Sequence, residues 1–117
     1  MARILLLFTQ GPDAGGAARE GLDAGLAALA FDHELGVLFE GAGVALLRPP
    51  HPPGAGLPDW RRGLRTLPLH GAAAIGADAG ALRAHALDRD ALLLPAVPLD
   101  AAARRRWLAD ADVVLGF

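Results

Sequence analysis

Few side chains in this chain could start a covalent reaction. Its 117 residues include no cysteine, serine, lysine, tyrosine or asparagine, and the side-chain hydroxyls are those of Thr9 and Thr66. Without a thiolate the chain can form no persulfide, disulfide, iron–sulfur cluster or cysteine-ligated metal site. Nucleophilic catalysis loses most of its usual carriers. General acid–base chemistry could still run on the aspartates, the glutamates or the four histidines, His33, His51, His70 and His85. No histidine has a second one at three or four residues' spacing, so a metal site would have to assemble wholly through the fold. No cofactor and no catalytic residue is therefore expected, and a compact domain of this composition is expected to bind or support rather than to catalyse.

The glycine motifs fail at the positions that carry their chemistry. Gly11 and Gly16 have the spacing of a phosphate-binding loop, but Ala17 and Ala18 stand where that loop needs Lys and Ser or Thr. Gly41 and Gly43 begin a dinucleotide fingerprint whose third glycine is Leu46. A tight turn with close backbone packing is the better reading of that pair. Pro49 and Pro52 form a PxxP without the flanking basic residue of an SH3 ligand, which leaves a stiff exposed loop. Arg104, Arg105 and Arg106 are consecutive, so they fan around a helix and read as a solvated surface. Asp78 reads as a helix N-cap rather than as an acid or base.

These residues must be positioned by a regular alternation of elements. Arg3–Thr9 is an unbroken apolar run, the pattern of a strand buried on both faces of a parallel sheet. Further strands are expected at Glu34–Glu40, Ala72–Ile75, Ala91–Leu94 and Asp112–Phe117. Helices are expected at Ala17–Ala30, with Leu22, Leu26 and Leu29 on its inner stripe, and from Pro58–Asp59 onward, with Trp60, Leu64 and Leu67 inward and Arg61, Arg62 and Arg65 outward. Others run from Asp78 to about Leu87 and from Asp100, and Gly41–Leu47 is short enough for a single helical piece. Arg48–Pro58 is a loop, because its prolines continue neither structure. Strand–helix alternation predicts an α/β fold with a mostly parallel sheet and helices on both faces. The length fits one domain, 1–117.

Net charge is −2, from 11 arginines against 13 acidic residues, which does not suit a dedicated nucleic-acid binder. Ile4–Phe8 is too short for a signal segment or a membrane span, so a cytoplasmic protein without membrane contact is expected. The composition is 53% hydrophobic, high for a domain that must cover its own surface, and predicts an oligomer.

The chain resembles the TusC/DsrF branch of the DsrE-like sulfur-relay proteins. The resemblance runs end to end. Its distinctive parts are Arg19-Glu20-Gly21-Leu22-Asp23-Ala24 and the ending Asp112-Val113-Val114-Leu115-Gly116-Phe117, with Leu35–Phe39, Gly43–Leu47 and Pro98-Leu99 between them. It implies a three-layer α/β/α sandwich around a five-stranded parallel sheet. It also implies membership of a heterohexamer with TusD/DsrE-like and TusB/DsrH-like subunits, which passes persulfide sulfur toward tRNA 2-thiouridine or within sulfur oxidation. The sulfur-carrying cysteine of such assemblies belongs to the TusD/DsrE-type subunit. Some TusC-like chains keep cysteines at the start of the helix after the third strand, and Asp78 stands at about that place here. Ala42 stands where relatives often have Asp. The expected function is that of a non-catalytic subunit which supports the transfer without carrying sulfur. The alternatives are a free-standing homo-oligomeric module of the same family binding a small ligand and, less favoured, an Asp/His hydrolase.

Overall fold

The computed structural model describes residues 2–13, 15–50 and 59–117. Five parallel strands form one sheet: β1 (Arg3–Phe8), β2 (Glu34–Phe39), β3 (Ala74–Asp78), β4 (Val97–Leu99) and β5 (Val113–Gly116), in the order β4-β3-β2-β1-β5. β1 lies between β2 and β5, with Leu6 opposite Val37 on one side and Leu115 on the other. Its apolar run is unbroken because both of its faces are covered. Leu6 and Phe8 face one cluster, and Leu5 and Leu7 face a second.

The first face carries α1 (Ala17–Ala30), the 3-10 segments Gly41–Leu47 and Trp60–Arg65, α2 (Thr66–Leu69) and α3 (Ala79–Ala84). Phe8 and Phe39 stack at its centre, ring centroids 5.1 Å apart. Among the described residues the second face carries α4 (Ala101–Asp110) alone, through Ala103, Trp107 and Leu108. The result is the expected three-layer α/β/α sandwich.

Several local expectations need correction. The deepest stripe of α1 is Ala18, Gly21, Leu22, Gly25 and Ala28, while Leu26 and Leu29 are only partly buried. A Cβ at Gly21 would lie 2.6 Å from Phe8 and one at Gly25 2.9 Å from Leu6, so small residues let this helix approach the sheet closely. The fourth strand is not Ala91–Leu94. Leu93 and Leu94 are buried in an irregular stretch, where the Leu93 N–H donates to the Leu47 carbonyl at 2.8 Å, and the strand is Val97-Pro98-Leu99. Pro98 is tolerated because β4 is a sheet edge. The third strand begins and ends later than expected and includes Asp78, and α3 stops at Ala84 rather than near Leu87. The helix after Asp59 is mostly 3-10, with one turn of α-helix at its end.

Candidate functional site

Consecutive connections part company between β3 and β4. The chain leaves β3 into α3 on the first face, and leaves β4 into α4 on the second. Ligand sites of open α/β sheets favour such a crevice at the carboxyl ends of strands. Here it gathers Glu40, Asp78, Asp100 and Arg104.

Asp78 ends β3 and starts α3. Its Oδ1 accepts from the Gly80 N–H at 3.0 Å and the Ala81 N–H at 3.2 Å, satisfying donors that no helical carbonyl can reach. Asp100 does the same for α4 through the Ala103 N–H at 2.8 Å. That cap sets the first turn of α4 and so places Arg104 over the carboxyl edge of the sheet. Arg104 Nη1 donates to Glu40 Oε1 at 3.2 Å and lies 3.6 Å from Asp78 Oδ2. One guanidinium on the α4 face thus ties together the ends of β2 and β3. Its Nε is buried and has no partner among the described residues.

Arg104 and its two carboxylate partners form an ion-pair brace across the ends of β2 and β3. Thr9, at the end of β1, donates its hydroxyl to the Phe117 carbonyl at 3.2 Å. The expected N-cap role of Asp78 is present, and the ion pair to Arg104 is an addition that sequence alone did not suggest. The arginine triplet divides: Arg105 and Arg106 are exposed as expected, whereas Arg104 turns inward.

Other candidates are dispersed. His33 precedes β2, and its Nδ1 accepts from the Ala2 N–H at 3.1 Å. His70 follows α2 and His85 follows α3, while His51 and Pro52, and with it the PxxP reading, lie outside the described residues. No group of three His, Asp or Glu able to hold a metal ion occurs among the described residues. Gly11–Asp13 and Gly15-Gly16 lie between β1 and α1, with Gly16 left-handed at φ 87° as the N-cap of α1. Gly43 packs so tightly that a Cβ there would collide with the Phe8 carbonyl oxygen, in agreement with the close-packing reading.

One buried site was missed. Arg61, expected outside, is only 4% exposed. It pairs with Asp59 through Nε at 3.0 Å and Nη2 at 2.8 Å, and donates to the carbonyls of Leu46, Arg48 and Pro49. This guanidinium fastens the end of the Gly41–Leu47 segment to the start of the next helical one. No described helix is long and apolar enough to cross a membrane.

Comparison with known proteins follows the fold and extends to the whole chain. Residues 2–117 match the model of the DsrE/DsrF-like family. Protein TusC of Escherichia coli O157:H7 (strain EC4115 / EHEC) is 40% identical over 119 aligned positions, which cover all of both chains. Protein TusC of Escherichia coli (strain K12) is 39% identical with the same coverage. The crystal structure of the ychN protein from E. coli superposes with a TM-score of 0.84 over all of both chains at 16% identity, a likeness of fold.

Proposed function

The chain belongs to the DsrE/DsrF-like family, and we propose that it is a subunit of a TusBCD/DsrEFH-type sulfur-relay complex that supports persulfide transfer without carrying sulfur. The observation behind this reading is the complete absence of cysteine in a chain that matches TusC over its full length. Persulfide sulfur moves when a thiolate attacks the outer sulfur and displaces another thiolate. This chain supplies no thiolate, so in this reading the sulfur is carried by the cysteine of the TusD/DsrE-like partner, in a heterohexamer with TusD/DsrE-like and TusB/DsrH-like subunits in the cytoplasm.

In this reading Asp78 stands at about the place where some TusC-like chains keep cysteines. Its carboxylate lies at the start of α3, held by two backbone N–H groups and faced by Arg104. The Glu40–Arg104–Asp78 brace keeps the carboxyl ends of β2 and β3 rigid, so that a partner meets a fixed surface there.

Deletion of the gene in its native host, with wobble-position thiouridine and sulfur oxidation both measured, tests the reading. Either output should fall and return when this cysteine-free chain is supplied. Unchanged thiolation together with unchanged sulfur oxidation would refute it.

A further inference from the structure

Charge is unevenly divided along this chain. Between Gly41 and Ala77 stand four arginines, Arg48, Arg61, Arg62 and Arg65, and one acidic residue, Asp59. The segment is thus net +3 in a chain that is net −2. Asp59 is buried with Arg61, paired at 2.8 Å. Arg48, Arg62 and Arg65 are exposed and have no ionic partner among the described residues.

The fold gathers these three cations into one ridge. Arg61 Nη1 donates to the Arg48 carbonyl at 3.0 Å, so the buried guanidinium holds the Arg48 backbone beside the start of the 3-10 segment Trp60–Arg65. Arg62 follows directly, and Arg65 is three residues further on, a spacing at which 3-10 side chains eclipse. Two guanidinium groups therefore stand side by side, and the third is anchored through the same buried pair. Like charges collected without a counter-charge repel one another, and an anion relieves that repulsion. Leu69 completes the ridge one helical turn after Arg65. It is 83% exposed, the most of any large apolar residue among those described.

We infer that this ridge binds an acidic protein segment, whose carboxylates pair with Arg48, Arg62 and Arg65 and whose apolar side chain covers Leu69. Guanidinium forks match carboxylates two hydrogen bonds at a time. A nucleic acid would share the charge but not the fit. α1 packs directly beside the ridge, since a Cβ on Gly63 would lie 2.7 Å from Leu22, and its exposed charges, Arg19, Glu20 and Asp23, are net negative. A continuous phosphate chain would run onto them, whereas a short acidic segment ends within the ridge. The tryptophan of the segment, Trp60, packs against the core instead of standing free for a base to stack on. Leu69 likewise has no counterpart on a phosphate backbone. The inference lies outside the sulfur reading, and its success or failure leaves the deletion experiment untouched.

Fluorescence anisotropy with the full chain and a labelled peptide of glutamates flanking one leucine tests the ridge. The peptide should bind at low salt and more weakly as salt rises. Glutamine in place of every glutamate should cost about tenfold or more in affinity, and so should the charge reversal Arg62→Glu with Arg65→Glu. Leu69→Ala should cost severalfold. Arg105→Glu with Arg106→Glu makes the same change of net charge on the α4 side of the sheet and should leave binding nearly unchanged. All five positions are exposed, and far-UV circular dichroism checks that each variant folds. Equal losses in the two double variants would overturn the inference, because binding would then follow net charge rather than the ridge. The same holds if the glutamate peptide does not bind, or if the glutamine peptide binds as tightly. A single-stranded RNA oligonucleotide held more tightly than the peptide, and released by the Arg62 and Arg65 reversal, would replace the protein segment with a nucleic acid and overturn the inference as well.

Discussion

Replacing Asp78 with cysteine would show whether this position retains the field that a sulfur carrier needs. The Sγ of Asp78→Cys would sit slightly nearer the backbone than the carboxylate oxygens, one of which lies 3.6 Å from Arg104 Nη1. At roughly 5 Å and an effective dielectric near 20, the guanidinium would favour a thiolate by about 3 kcal/mol. That is about two pKa units. Glu40 shares the same guanidinium at 3.2 Å, and its own negative charge opposes the thiolate, so about half of the effect should survive. The Gly80 and Ala81 N–H groups act in the same direction as Arg104. The thiol should therefore titrate about one to two units below the free value of about 8.5. Loss of the carboxylate cap should cost about 0.5–2 kcal/mol of stability. Iodoacetamide alkylation rates measured against pH report the first quantity, and urea denaturation the second. Adding Arg104→Gln to the cysteine variant should move the thiol back up by about half a unit or more. A thiol at or above about 8.5 in a folded variant would refute the argument, because neither the guanidinium nor the helix start would then stabilise an anion at this position.

Two further changes test the frame around the site. Arg61→Met should cost about 3–5 kcal/mol in chemical denaturation, since it removes the buried guanidinium that pairs with Asp59 and donates to the carbonyls of Leu46, Arg48 and Pro49. Against a total of about 5–15 kcal/mol this approaches global unfolding, and adding Asp59→Leu should recover part of the loss. Gly43→Ala should destabilise the chain more than an ordinary surface substitution, by about 1–3 kcal/mol or more, because its Cβ meets the backbone at Phe8 rather than a side chain that can turn aside. Thermal unfolding followed by circular dichroism would show the lowered midpoint.

Legibility in the sequence tracked how local each cause was. Arg3–Phe8 was readable because burial on both faces leaves an unbroken apolar run, and Ala17–Ala30 because its bounding turn is rich in glycine and proline. Asp78 and Asp100 were readable as caps because a cap acts on N–H groups two or three residues away. The fourth strand was misplaced because Ala91–Leu94 has the apolarity of a strand while Val97-Pro98-Leu99 contains a proline. Only the position of β4 at an edge makes that proline harmless, and strand order is not a local property.

The two inward arginines extend the same argument to the site. An arginine in a helical stretch reads as solvated unless something pairs with it. Arg61 is buried because it reaches the carbonyls of Leu46, Arg48 and Pro49, and Arg104 turns inward because Glu40 meets it from 64 residues away. Neither partner set can be inferred from spacing along the chain. Yet Arg104 is placed by a feature that was legible, since the Asp100 cap fixes where α4 begins and the strand order fixes which face it crosses. The same crossing leaves a groove beside Trp107 open on one flank. The brace at the carboxyl ends of the strands and the groove at their amino ends are thus two consequences of a single choice, that among the described residues one short helix crosses this sheet face.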